Sequence, residues 1–252
     1  MSEQKEQHTQ CRNCHRKLHG DYCSHCGQPA KTLDIGPAVV ATLLRKAFIS
    51  FNSGYFYTIK NLLLRPGETL RGYVEGKRIN HMNPFSFVLL TAGFYAFLFS
   101  HFNIVTFTEN AGTVDAHLLN TWYSSHIASI QLFLIPVFAA VSRFVFRKQR
   151  FTIYELGIIN TFLAGQRLVL SILTFPLLYL FNGTDHLNIV TGSTAVIGSV
   201  FFIWTYVHLY PEIDRFKVIL QSLLTYAILI VFLSFILIAV YSNPVLTKLI
   251  FG

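Results

Sequence analysis

Five apolar stretches, residues 84–105, 127–146, 156–181, 189–210 and 218–241, contain only two charged residues between them, Arg143 and Arg167. Each is long enough to cross a hydrocarbon core of about 30 Å as a helix, which takes roughly 20 residues. Soluble domains carry about 25% charged residues, whereas this chain carries 13%. It therefore lacks the charged surface that would keep such blocks dissolved, and a soluble monomer is excluded. A disordered chain is excluded too, since 24 Phe and 12 Tyr are far from a disorder composition. The expected fold is all-α: a polytopic transmembrane helix bundle of about five spans, with a small N-terminal module.

Charge orients the bundle. The N-terminal MSEQKEQHTQ is polar and has no apolar core, so no cleavable signal peptide is expected. Of the 20 Lys and Arg, 12 precede residue 84, and Arg147, Lys148, Arg150, Arg215 and Lys217 fall in connections that would share that side. The connections 106–126 and 182–188 have no Lys or Arg and carry Glu109, Asp115 and Asp185, and the tail adds Lys248. Basic residues accumulate on the cytoplasmic side, which puts the N-terminus in the cytosol and the C-terminus outside. Pro136 and Pro176 interrupt two stretches, so four spans with one stretch re-entrant is the alternative. The net charge of +8 is concentrated beside the first span, where each basic residue gains about 1 kcal/mol from an anionic surface. Membrane lipid is thus the expected partner, and nucleic acid is not.

The first 30 residues form a separate module. It reads Cys11-Arg-Asn-Cys14, eight residues, then Cys23-Ser-His-Cys26-Gly27-Gln28. Two C-x2-C pairs can each turn as a knuckle with both thiolates facing one ion, and a four-thiolate tetrahedral site selects Zn²⁺ with no open position for substrate. Gly27 suits the left-handed residue that such a knuckle needs. Disulfides do not suit a reducing compartment, and a redox C-x-x-C would need a thioredoxin-like unit that these residues lack. Iron has the same ligand set and stands second to zinc. His15, His19 and His25 lie beside the cysteines, but four thiolates already complete the site. A module this small cannot fold on its own core, so metal binding supplies its folding energy. A closed structural site points to docking of a cytosolic protein partner rather than to catalysis.

Residues 37–83 form a second region. Val40, Leu44, Ala47, Phe51, Tyr55 and Leu62 recur near a helical period. Arg45, Lys46, Asn52 and Lys60 oppose insertion, at about 2.5–3.5 kcal/mol for each charge at mid-membrane. This pattern fits a helix lying in the cytosolic interface, interrupted near Gly54. Pro66 then starts a short helix that Gly76 ends. Arg71 lies three residues from Glu68 and four from Glu75, a spacing that pairs it along its own helix. Arg65, Lys77 and Arg78 are either a topogenic basic flank or an anion site for a lipid headgroup.

The order of these motifs resembles a known family. Cys-x-x-Cys…Cys-x-x-Cys-Gly-Gln is followed by Phe51…Thr58…Asn61-Leu62-Leu63…Arg65-Pro66-Gly67, then by Gly76-Lys77-Arg78…Pro84-Phe85. The whole is similar to a bacterial zinc-ribbon membrane family, domain of unknown function 3667, most densely over residues 11–90. The resemblance implies a multi-span protein of the bacterial cytoplasmic (inner) membrane with an N-terminal ribbon, and it implies no activity. The chain departs from a ribbon in having His15, not glycine, after Cys14, which weakens the expected turn.

The transmembrane region, residues 84–252, carries one charge at depth. Arg167 lies about 16 Å along its helix from Leu156, and an intramembrane ionisable residue is a functional candidate by default. Gly157, Asn160, Thr161, Ala164 and Ser171 make a small, polar stripe that should face the bundle interior. Arg167, Asn160 and Gln166 form the expected intramembrane polar site. No Asp or Glu lies within a span. Arg167 must therefore be compensated by Gln166, Gln221 or Tyr206, by carbonyls freed near Pro136 or Pro176, by water, or by a bound anion. Arg143, near a span end, is expected to snorkel to the interface. His101 and His208 read as interfacial, and His117, His126 and His186 are scattered through external connections. No G-x-S-x-G, P-loop, H-E-x-x-H or carboxylate pair marks an enzyme. The leading functional expectation is a scaffold or regulatory membrane protein with a docking ribbon. A small transporter or lipid-binding protein using Arg167 comes second, and an enzyme acting on a lipid headgroup comes last.

Overall fold

The computed structural model describes residues 10–47, 54–104, 116–184 and 186–242. Phe51, Asn52, Glu109, Asp115, Asp185 and Lys248 lie outside these residues, as does the side chain of His117. Among the described residues there are nine helices: α1 (Pro37–Lys46), α2 (Tyr55–Leu64), α3 (Pro66–Glu75), α4 (Pro84–His101), α5 (Ala116–Val145), α6 (Ile153–Leu173), α7 (Phe175–Leu180), α8 (Leu187–Leu209) and α9 (Arg215–Ser242). No strand joins them; the cysteine head contributes two isolated bridges, Gln10 with Lys17 and Tyr22 with Pro29. Five helices, α4, α5, α6, α8 and α9, are long and apolar enough to cross a membrane. The protein is an all-α, multi-pass bundle with a small cysteine head. Pro136 lies inside α5 without breaking it. Pro176 sits in the first turn of α7, after α6 has already stopped at Leu173.

Local chemistry sets the helix ends. Pro66 opens α3, and Gly76 closes it at φ +112°, a left-handed conformation that side chains resist. Asn83 caps α4 by accepting the Phe85 N–H at 3.0 Å. At α6, Thr152 Oγ1 accepts the Glu155 N–H at 3.3 Å and Glu155 accepts the Thr152 N–H at 2.7 Å, a reciprocal cap.

Helix α6 is the central span. Of its most apolar window 72% is buried, against 11% for α8. It runs parallel to α4 with a fixed offset: Phe87 packs on Phe162, and Phe99 on Phe175. Gly165 makes the first contact possible, because a Cβ there would fall 2.4 Å from the Phe87 ring. The start of α4 is therefore level with residues 159–160 of α6. The first two turns of α6 project beyond it, into a layer built by α1, α2 and α3, where Tyr73 meets Phe162 with ring centroids 4.9 Å apart. Arg167 stands about 11 Å past the level of Pro84.

The connections carrying Arg147, Lys148, Arg150, Arg215 and Lys217 join the ends of α5, α6, α8 and α9 that meet this layer. Helix α2 lies across the bundle end rather than along it. Its first residue, Tyr55, packs on Phe87 and meets Thr91 Oγ1 at 3.2 Å. Near its last, the Leu62 carbonyl accepts from Gln166 Nε2 at 2.6 Å.

The expected pairing of Arg71 along α3 is not formed. Its Nη2 donates to the His208 carbonyl at 2.6 Å, and its Nη1 faces Glu212 at 3.9 Å. Glu75 pairs instead with Arg150 at 2.9 Å. Gly67 is the cause. A Cβ there would sit 2.4 Å from His208 Cβ and 2.7 Å from Leu209 N, so α3 lies directly on the last turn of α8. One turn later, Arg71 faces the free carbonyls of that turn, which attract a cation. Arg143 likewise donates to the Arg147 carbonyl at 2.8 Å, at the end of α5.

Candidate metal centre and bundle cavity

The two cysteine knuckles repeat one hydrogen-bond pattern. Cys11 N–H donates to Arg16 O at 2.8 Å and His15 N–H to Cys11 O at 2.9 Å. Twelve residues on, Cys23 N–H donates to Gln28 O and Gly27 N–H to Cys23 O, both at 2.9 Å. The residue after each second cysteine is left-handed, His15 at φ 60° and Gly27 at φ 75°. The absence of glycine at residue 15 therefore does not loosen the first turn; histidine is among the side chains that adopt this region more readily than most.

The turns bring four sulfurs together. Cys11 and Cys26 are 3.5 Å apart, Cys14 and Cys23 are 3.5 Å apart, and all four sulfurs lie within 4.8 Å of one another. A tetrahedron with metal–sulfur bonds of about 2.3 Å has edges of about 3.8 Å, whereas a disulfide needs about 2.05 Å. The four thiols are free, and together they fit one thiophilic, tetrahedral ion. Backbone N–H groups of Cys26 and His25 lower the Cys23 thiol to about 6, favouring the thiolate form a metal takes. At Cys14 the backbone bond at Arg16 also favours the thiolate. Desolvation and the three neighbouring sulfurs outweigh it, and the thiol is pushed up to about 12. His15, His19 and His25 are exposed. Among the described residues, the four cysteines are the one cluster of metal-ligating type.

The head is fastened to the bundle by a residue that also closes a knuckle. Gln28 is 2% exposed. Its backbone carbonyl holds Cys23, while its side chain reaches the end of α3. There Nε2 donates to Gly76 O at 2.8 Å and to Thr32 Oγ1 at 3.1 Å, and Oε1 accepts the Arg78 N–H at 3.2 Å. The other knuckle presses on the same point: a Cβ at Gly76 would lie 2.8 Å from Arg12 Cδ.

Arg65, Lys77 and Arg78 do not share one place. Arg65 precedes α3 and Lys77 and Arg78 follow it, with the ten residues of α3 putting about 15 Å between them. Arg65 and Lys77 are exposed. Arg78 Nε and Nη2 donate to the Tyr73 and Val74 carbonyls at 3.0 and 3.4 Å, closing the end of α3. Burial lowers the Arg78 pKa, and burial pushes the Tyr73 hydroxyl up to about 12, with Arg78 opposing it.

The expected polar site in the bundle also divides. Asn160 Nδ2 donates to the Leu156 carbonyl at 2.8 Å and to the Tyr206 hydroxyl at 3.3 Å. Gln166 faces α2, and Gln221 donates to the Val145 carbonyl at 3.2 Å. Arg167 lies apart from all three, over the Phe138 ring at 4.4 Å, with Nη2 3.5 Å from Gln131 Oε1. It lines a cavity of about 450 Å³ bounded by residues of α4 to α9.

Residues 52–96 match the family model described as a protein of unknown function (DUF3667). No curated protein and no solved structure matches the chain.

The DUF3667 segment covers α2 and α3 of the layer that clamps the head end of the bundle, and most of α4. It holds Gly67 and Arg71, which seat α3 on α8; Gly76 and Arg78, which receive Gln28; and Phe87, which sets the register of α6. It also holds Thr58, whose hydroxyl accepts the Met82 N–H at 2.9 Å. The cysteine head and most of the cavity lie outside the DUF3667 match; Tyr95, on the cavity wall, lies inside it. Sequence reasoning missed the roles of Gln28 and Gln131. Gln28 was visible as the residue after Cys26-Gly27, and Gln131 as a lone amide in an apolar stretch.

Proposed function

We propose that the protein is a non-catalytic, regulatory or scaffold protein of the bacterial cytoplasmic membrane, with N-terminus and head in the cytosol. Its head binds zinc as a structural ion. The folded head holds the α3–α4 connection in place and presents a surface to a cytosolic partner. One observation carries this reading: Gln28 closes the second knuckle with its carbonyl and bridges Gly76 and Arg78 with its side chain. Any loss of the ion that unfolds the knuckle therefore releases the connection. The excess of basic residues on the head end supports the cytosolic orientation. Exposed Tyr22 and Leu33, 66% and 64% accessible, support a protein contact on the free face of the head.

Chelation of the purified chain tests the coupling. It is expected to raise amide exchange at Arg78 and tryptic cleavage after Lys77 and Arg78, while helical content holds. Gln28→Ala, which leaves the backbone bonds of the knuckle in place, is expected to keep its metal and still expose the connection. A chelated chain whose connection remains protected overturns the reading, and so does a Gln28→Ala chain that remains protected.

A further inference from the structure

Arg167 is placed in the cavity as a cation with little to neutralise it. A guanidinium carries five N–H donors, and its one hydrogen-bond partner is Gln131 Oε1, at the 3.5 Å limit. No Asp or Glu pairs with it among the described residues. The Phe138 face attracts the charge but accepts no strong hydrogen bond. Around it the wall has two characters. One arc carries Ser171, Thr191, Thr194 and Ser199, and each of these hydroxyls donates to a carbonyl of its own helix. Those hydroxyls offer oxygen lone pairs to the cavity, and the one cationic donor on its wall is Arg167. Apart from Gln131, Tyr95 and Tyr226, the rest of the wall is apolar, with Phe99, Leu168 and Ile230.

We propose that this cavity binds an anionic amphiphile: a phosphate or carboxylate headgroup held by Arg167, with its hydrocarbon tail against the apolar wall. One anion satisfies the open N–H groups and neutralises a charge that is costly at this depth. The apolar wall selects an anion with a chain over a bare one. Gly198 leaves room for the tail, since it is buried at the cavity edge and no heavy atom lies within 4 Å of a Cβ built there. The site is independent of the head, whose ligands and clamp lie at the bundle end.

The full chain, purified in mild detergent, can be exchanged against phosphatidylglycerol, phosphatidylcholine or inorganic phosphate and read by native mass spectrometry. The expected result is retention of phosphatidylglycerol over phosphatidylcholine by the unaltered chain. Arg167→Gln is expected to lose at least about tenfold in that retention and Arg167→Lys to restore part of it. Gly198→Leu fills the space without touching the cation and is expected to lose retention too. Thermal unfolding without added lipid checks that both variants fold. Equal retention of the two lipids overturns the proposal, as does phosphatidylglycerol held undiminished by Arg167→Gln. Tight binding of inorganic phosphate that Gly198→Leu leaves intact overturns the amphiphile and leaves a plain anion site.

Discussion

Gln166 and Arg167 are neighbours on α6, yet they face two different environments. Gln166 is 2% exposed and donates at 2.6 Å to the Leu62 carbonyl, across from a helix that lies over the bundle end. Arg167 faces a cavity and makes its one hydrogen bond at 3.5 Å. On the first side, polar groups lock packed elements together, and glycines allow backbones to touch. On the second, a charge stands beside open volume. The contrast separates two uses of polarity inside a bundle. A buried amide with a short partner specifies structure, whereas a cation with surplus donors and empty space beside it specifies a ligand. Asn160 belongs to the first kind on its amide side, although its Oδ1 is buried without a partner.

Glycine substitution probes that contrast most strongly. Gly67→Ala pushes a methyl group into the His208 and Leu209 backbone at 2.5–2.7 Å, and backbone cannot step aside. The expected cost is about 3 kcal/mol, the upper end for overpacking, seen as a lower Tm in detergent and poor accumulation. Gly198→Ala, on the cavity side, is expected to leave Tm unchanged or raise it slightly, since alanine favours the helix by about 1 kcal/mol. Equal destabilisation by the two would erase the distinction between the clamped and the open side. A smaller effect is expected from the adjacent pair. Gln166→Leu leaves the Leu62 carbonyl buried and unpaired, at about 1–3 kcal/mol. Arg167→Leu removes a charge that no carboxylate balances and is expected to leave Tm unchanged or higher. Thermal unfolding of both variants, stripped of lipid, checks the order, and a larger loss for Arg167→Leu would break it.

Sequence made the spans and the thiol cluster legible because both are local: apolar length reports a crossing, and paired C-x2-C spacing reports a knuckle. Features that depend on a distant partner were hidden. The spacing rule for Arg71 favours Glu68 and Glu75, but the carbonyl it binds lies 137 residues away and became reachable only through Gly67. The register of α6 on α4 depends on Phe87 meeting Gly165, a contact that the hydropathy of either stretch cannot reveal. Gln131 is 36 residues from Arg167, and nothing in either stretch alone joins them. His15 shows the opposite case, where a motif rule was too strict: the turn requires a left-handed residue, and histidine supplies it.

The smallest of these effects concerns protons at the clamped side. His81 lies in the α3–α4 connection, 5.0 Å from the Tyr57 ring and 6.0 Å from the Tyr73 ring, and burial lowers its pKa from 6.5 to about 4. Tyr73 is itself shifted upward, so it stays neutral and offers no charge to an imidazolium. The folded state therefore refuses a proton that the unfolded chain accepts. Stability is full above pH 6.5 and declines as pH falls from there towards 4, by about 1 kcal/mol near pH 5.5. His81→Gln removes the titrating group and is expected to flatten this part of the curve, read as Tm against pH in detergent. No histidine lines the cavity among the described residues, so Arg167→Gln should leave the slope as it is. A slope that survives His81→Gln but vanishes with Arg167→Gln would put the proton-sensitive contact on the open side, against the division drawn between the two.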